Sequence, residues 1–219
     1  MGRRLEDPRT SSLPAMFLHA AVQLSEAPPP VRVPSPAVTG ERRLSQAISE
    51  GDGISVIVHV VSLDEAREAM RQGAEALALS REIPGLREET SLPLLWRGEA
   101  DWAAARRAGA DAGVVYGDEG RDADLEPVRY VSNEGLLETA LEEADPEIFL
   151  LGLPDAEVEE ALDRVLDLLP DVPAGKLAIA DLPVTTRHEV EQLERAGVDA
   201  VLVAAGDVGQ LVGDAPPEV

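Results

Sequence analysis

The stretch Lys176-Leu-Ala-Ile-Ala-Asp181, followed by Leu182-Pro-Val-Thr-Thr186 and, past Arg195, by Gly197-Val-Asp-Ala-Val-Leu-Val203, decides the fold. It reads as strand, polar turn, amphipathic helix, glycine stop and second strand. A strand, a helix on one of its faces and a parallel strand beyond it form a right-handed βαβ unit. The helix end is marked chemically. Arg195 puts a cation in the last turn, and Gly197 stands where a left-handed residue closes a helix.

The same closure occurs twice upstream. Arg71-Gln-Gly-Ala-Glu-Ala76 leads into Leu77-Ala-Leu79, and Arg107-Ala-Gly-Ala-Asp-Ala112 leads into Gly113-Val-Val115. Three copies of helix, glycine, acid, alanine and apolar strand predict a repeated α/β architecture. Strands are expected at 54–61, 75–79, 92–97, 112–116, 128–132, 147–152, 177–181 and 200–204. Most are continuous apolar runs, as strands buried on both faces should be. Helices are expected at 63–72, 99–108, 134–143, 156–169 and 186–196, with a further one at 42–50. Asp64, Asp155 and Thr185 are the expected N-caps, and Ser132 and Asn133 are placed to cap the helix at 134–143.

Eight strands alternating with helices predict an α/β fold, a compact (β/α)8 TIM barrel with one or two outer helices shortened or missing. Segment 81–90 has room for only a short helix. Segment 117–126 is acidic and glycine-containing rather than helical, and only 207–212 remains for a closing helix. An open doubly wound sheet is the competing architecture. Residues 1–45 read as an irregular, proline-rich segment with a short helix around 14–26, residues 46–213 as the barrel, and 214–219 as a polar tail. A barrel short of outer helices leaves strand surface uncovered, so the N-terminal 45 residues or another subunit is expected to cover it.

The 219 residues are 44% hydrophobic but only 3% aromatic, so the core must be aliphatic. With no cysteine there is no disulfide framework, thiolate metal site or cysteine nucleophile. The apolar run at 13–22 is short, holds His19 and follows Glu6 and Asp7, so it is not read as a signal peptide. A cytoplasmic protein is the expectation. A net charge of −23 opposes approach to nucleic acid or anionic lipid, so neither is an expected partner. Lys176 is the single lysine, and an acidic, arginine-preferring proteome explains that more simply than a cationic partner does.

From about residue 42 to 213 the chain resembles indole-3-glycerol-phosphate synthase, a ribulose-phosphate-binding barrel of tryptophan biosynthesis. The resemblance rests on Thr185-Thr-Arg-His-Glu-Val-Glu-Gln-Leu-Glu-Arg-Ala-Gly-Val-Asp-Ala-Val-Leu-Val203 for the last helix and strand. Ser91-Leu-Pro-Leu-Leu95 with Ala108-Gly-Ala-Asp-Ala112, and Ser55-Val-Ile-Val-His-Val-Val-Ser62, extend it. The resemblance implies a ring closure by condensation, decarboxylation and dehydration, needing a cation on the substrate carboxylate, a lysine acid and glutamates.

Those groups are replaced. His59 and Val61 stand for the first strand's glutamate and lysine, Arg97 and Gly98 for the third strand's lysine-aspartate, and Tyr130 for the fifth strand's glutamate. The sixth strand's asparagine position falls on Gly152 or Leu153. Asp181-Leu182-Pro183 replaces glutamate-serine-glycine, and Ala204-Ala205 a glycine-glutamate pair. Arginine keeps a charge but is a poor proton donor, and Pro183 has no N–H to offer an anion.

Side chains at the C-terminal ends of barrel strands face the usual active site. The candidates there are His59, Arg97 and Asp181 as catalytic groups, with Arg97, Tyr130 and Ser62 as ligand-binding groups. Each has a bland alternative: His59 a satisfied core histidine, Arg97–Asp181 a space-filling ion pair, Tyr130 a plug. Trp96 and Trp102 read as core against the next helix, with either one left exposed pointing to a partner surface, and His188 among Glu189, Glu191 and Glu194 as a surface residue. No metal spacing and no cofactor-binding fingerprint appears, so neither metal nor cofactor is expected.

Two kinds of function fit this inventory. One is a degenerate, non-catalytic barrel (a pseudoenzyme) acting through binding, assembly or regulation, as a homo-oligomer or with a protein partner. The other is an enzyme or small anionic-ligand binder with altered chemistry at the C-terminal face, or an authentic synthase, a carbon-carbon lyase.

Overall fold

The computed structural model describes residues 43–211 apart from 52, 119, 121, 123, 154, 155 and 207. The helix expected at 14–26, the proline-rich segment, the expected cap Asp155 and the tail from 214 lie outside the described residues.

Eight strands form one closed parallel ring: β1 (Ser55–His59), β2 (Ala76–Leu79), β3 (Leu94–Trp96), β4 (Ala112–Val115), β5 (Glu126–Val131), β6 (Ile148–Gly152), β7 (Leu177–Asp181) and β8 (Ala200–Ala204). Closure is made by β8 lying along the whole of β1, from Ser55 opposite Ala200 to His59 opposite Ala204. The open-sheet alternative is thereby excluded.

Strand alternation separates two apolar layers. Inside the ring, Ile57, Leu95, Ile148, Leu150, Ile179 and Leu202 interleave with Ala76, Ala78, Ala112 and Ala200. Large and small aliphatic residues at facing positions fill the buried bore, with the half-buried rings of Tyr116 and Tyr130 packed against it, which is how so poorly aromatic a chain makes a barrel core. Outside, Val56, Val58, Leu77, Leu79, Phe149, Leu151, Val201 and Val203 pack beneath the helices.

The helices are α1 (Arg43–Glu50), α2 (Leu63–Arg71), α3 (Leu86–Glu89), α4 (Trp102–Arg107), α5 (Glu134–Glu143), α6 (Val158–Leu168) and α7 (Arg187–Ala196). As expected, α3 is a single turn. Between β4 and β5 the described residues contain no helix, and after β8 only a 3-10 turn at Val208–Gln210 follows. The outer face of β4 is covered instead by Trp102, whose ring lies so close to Gly113 that an added Cβ would meet it at 2.7 Å.

Several caps differ from expectation. Ser62, not Asp64, caps α2 by accepting from the Glu65 amide, and Asp101 caps α4, which therefore starts at Trp102 rather than near residue 99. Thr186, not Thr185, caps α7 within a reciprocal capping box with Glu189. Asn133 caps α5 as expected.

The repeated glycine-acid closure has one physical job. Gly73, Gly109 and Gly197 all take left-handed φ, at 95°, 72° and 101°, where a side chain would be strained. Two residues on, the acid returns to the preceding strand. Asp111 N–H donates to Leu94 O and its carboxylate accepts from Leu94 N–H, both at 2.9 Å or less. Asp199 makes the same exchange with Ala178, at 3.0 and 2.8 Å. Glu75 N–H donates to Val56 O, and its longer carboxylate reaches Ser55 Oγ at 2.5 Å. Each copy clamps the start of one strand to the start of a neighbour.

Helix α1 floors the barrel. Leu44 and Ile48 enter the inner apolar cluster, each burial contributing roughly 1.5–3 kcal/mol. The first amides of α1 have no intrahelical acceptor. Buried Glu126, at the start of β5, supplies one: its Oε2 accepts from Leu44 and Ser45 N–H at 3.1 and 3.2 Å. Arg43 and Arg87 bind the two oxygens of buried Asp111, each at 2.9 Å.

Candidate functional site

His59, Arg97, Tyr130 and Asp181 all reach the C-terminal mouth of the ring. His59 points inward because it continues the inner face of β1 after Ser55 and Ile57, while Val56, Val58 and Val60 pack outward. Asp181 is the last residue of β7 and is 5% exposed. Arg97 follows β3, where its N–H donates to Leu79 O.

Arg97 Nη2 donates to Asp181 Oδ2 at 2.5 Å. Burial pushes the Asp181 carboxyl up to about 6, against the opposing pull of Arg97. His59 Nε2 shares a 2.8 Å hydrogen bond with Ser80 Oγ. Its pKa lies below the ordinary 6.5, first through burial and then through the Arg97 charge, with Glu65 opposing. A neutral imidazole at physiological pH follows. Tyr130 stacks at 5.1 Å and a 47° tilt on Tyr116 and donates to Gly152 O at 3.0 Å. Burial, then the Asp181 charge, raises its pKa above 10.0. The phenol is therefore neutral at pH 7.

Gly152 is required here by close approach. A Cβ at this position would lie 2.2 Å from Asp181 O, so the end of β6 must be bare for β7 to deliver its carboxylate.

A pocket of about 140 Å³ opens at the mouth, lined by His59, Arg97 and Asp181 together with Leu182, Pro183, Leu202, Val203 and Ala204. A second cavity of about 340 Å³ lies beside it, between the loops after β7 and β8, lined by Pro183, Val184, Thr185, Ala204, Ala205, Gly206, Val208, Gln210 and Leu211. Several amides around that second cavity are engaged. Thr185 and Thr186 N–H donate to Glu189 Oε2 at 2.8 and 2.9 Å. Val208 and Gly209 N–H donate to Gln72 Oε1 at 2.6 and 3.2 Å, and Ala205 N–H to His59 O at 3.1 Å. Near β1, Val61 N–H is taken by Glu65 Oε2 at 2.8 Å. Carboxylates and a side-chain amide oxygen of the chain thus accept from most of these backbone N–H groups.

Sequence reasoning brings together His59, Arg97, Asp181 and Tyr130, but not Ser62, whose hydroxyl is spent on the α2 cap. It misses Ser80, Tyr116, Gln72 and Glu189. Only Glu189 carries a local signal, the Thr-x-x-Glu spacing of a capping box. Trp96 is buried, with Nε1 donating to Glu99 O at 3.0 Å; Trp102 is half-buried, with Nε1 donating to Gly120 O at 2.7 Å. His188 is exposed on α7. Among the described residues no group of three or more His, Cys, Asp or Glu is placed to hold a metal ion, and no helix is long and apolar enough to cross a membrane.

No family model matches the chain. Among curated proteins it is similar to the indole-3-glycerol phosphate synthase of Variovorax paradoxus (strain S110), at 27% identity over 175 residues. That match takes in 73% of this chain and 64% of the relative, so the chain spans less than two thirds of that protein's length. Among solved structures it is similar to a thiamine phosphate pyrophosphorylase from Pyrococcus furiosus, with a TM-score of 0.53 and 14% identity over 72% of this chain and 90% of the other. At that identity the likeness is one of fold.

Proposed function

We propose that this chain is a synthase-like barrel that has given up ring closure and acts by binding, with a small anionic ligand at its mouth and roles in assembly or regulation. The observation that supports this is mutual satisfaction of the mouth's polar groups: Arg97 on Asp181, Tyr130 on Gly152 O, Thr185 and Thr186 on Glu189, Val208 and Gly209 on Gln72. A transition-state site needs donors held open for charge that develops during reaction. Here the donors are occupied by the chain itself. No lysine stands among the mouth residues, and Lys176, the sole lysine, sits at the start of β7 bound to Asp145 at 2.9 Å. At about 140 Å³ the mouth pocket is also well below the roughly 300 Å³ at which sites for drug-sized ligands begin.

The test is incubation of the purified full chain with carboxyphenylamino-deoxyribulose phosphate. The expected outcome is no indole-glycerol phosphate and no carbon dioxide, and turnover would overturn the reading. The likeness to the Variovorax paradoxus protein favours a second reading, an active synthase of tryptophan biosynthesis. Growth of a tryptophan auxotroph lacking its own synthase would support that one.

A further inference from the structure

We propose that the mouth pocket takes up a short-chain carboxylate together with one proton, the ligand's carboxylate replacing that of Asp181 on Arg97 while Asp181 accepts the proton from solvent. The inference rests on reading the mouth as a small-anion site and names the ligand's chemical class.

The argument begins with size. About 140 Å³ is room for four or five waters at ~30 Å³ each, which suits a carboxylate with a few carbons. The wall chemistry agrees: Leu202, a member of the inner apolar layer, offers apolar surface for a short alkyl chain in the pocket that Arg97 and His59 line. A guanidinium presents a planar fork that fits a carboxylate with two parallel hydrogen bonds. A phosphate dianion is less suited, because Arg97 is the single cation among the described residues lining the pocket and several neighbouring amides are already engaged.

The proton follows from Arg97's existing partner. Asp181 is 5% exposed, and Arg97 is its ion-pair partner. An incoming carboxylate that takes the guanidinium leaves Asp181 as a buried charge with nothing to balance it, beside a second negative charge. Buried carboxyls in that position protonate. The other groups facing the pair do not supply compensation. Tyr130 from β5, with Tyr116 of the β4 end against its ring, is neutral, and His59 from β1 is held neutral by burial and by Arg97. Glu65 of α2, behind His59, is acidic. The Asp181 carboxyl already sits near 6 while paired, so the proton is within reach at mildly acidic pH.

The experiment is calorimetric titration of the full chain with propionate from pH 5.5 to 8. The dissociation constant should rise about tenfold for each pH unit above about 6. Two buffers of different ionisation enthalpy should report uptake of about one proton per ligand. Asp181→Asn should bind propionate with little pH dependence, and Arg97→Gln should lose binding. A pH-flat wild-type affinity without proton uptake overturns the proposal, as does no propionate binding at pH 5.5. An Asp181→Asn protein that keeps the slope would assign the proton to His59 and overturn it equally. Inorganic phosphate binding in preference to propionate overturns the ligand class. Should Asp181→Asn fail to fold, the two-buffer measurement on the unaltered chain decides. Turnover of the sugar phosphate would sink the non-catalytic reading alone, whereas a flat propionate titration sinks this inference alone.

Discussion

Arg97 and Asp181 extend from β3 and β7, four strands apart in an eight-strand ring, yet their side chains meet at 2.5 Å across its mouth. The pair is a strut spanning the bore, and its carboxylate is nine-tenths buried while its guanidinium keeps one-fifth of its surface open. Removing one partner of such a pair costs more than forming it contributes, because the survivor is a charge with poor solvation.

That strut gives stability a signed pH dependence. The folded Asp181 holds its proton to about 6, while the unfolded chain releases it near 3.8. The native state therefore binds the extra proton between those values. Stability from this group is fully present below about pH 4 and is lost as pH rises through about 6. Unfolding free energies from urea denaturation of wild type and Asp181→Asn should diverge over that window by at most roughly 3 kcal/mol, to the disadvantage of wild type. A difference that stays constant from pH 4 to 7 would count against a perturbed Asp181.

Gly152→Ala and Gly135→Ala should move stability in opposite directions. The first puts a Cβ 2.2 Å from the Asp181 carbonyl, between two paired strands that cannot separate cheaply; a loss above about 3 kcal/mol is expected. The second places its Cβ in the first turn of α5, with Asn133 Oδ1 at 3.5 Å the nearest atom, and should gain about 0.5–1 kcal/mol. Chemical denaturation of both variants checks the pair.

Asp111→Ala should be the costlier of the two clamp deletions. Asp111 serves the Leu94 amide and two guanidiniums, whereas Asp199 serves only the Ala178 amide. About 2–4 kcal/mol is expected for the first and about 1–2 for the second. Equal losses, read from denaturation midpoints, would show that the arginines contribute nothing to the floor.

Gln72→Ala strips the acceptor from Val208 and Gly209. The expected loss is about 1–2 kcal/mol. Faster hydrogen exchange should appear at those two amides and leave α2 unaffected. Unchanged exchange there would mean the 3-10 turn is held by Val208 and Leu211 packing alone.

The barrel was legible because its determinants are local. Apolar runs mark strands buried on both faces, and Gly73, Gly109 and Gly197 mark helix ends wherever left-handed backbone is needed. Inward placement of His59 follows from alternation alone. Caps were harder to read: Ser62-Leu-Asp64 offers two capping residues in three positions, and only the backbone path selects Ser62. The engagement of the mouth was harder still. Gln72 meets Val208 across 136 residues, and His59 meets Ser80 across 21. No periodicity encodes which side chain fills which donor. Residue identity in a strand can say which side chain stands at a position, but not which distant oxygen a loop amide will find.

Glu126 and helix α1 also set a timetable for synthesis on the ribosome. The helix emerges early, but the carboxylate that tethers its leading amides follows 82 residues later. Leu44 and Ile48 therefore have no finished bore to enter while the first four staves are being made. The fifth stave brings only the tether; the apolar face of the helix stays unsheltered until the eighth closes the bore against the first. Premature release before that point would yield a fragment that sticks to its neighbours.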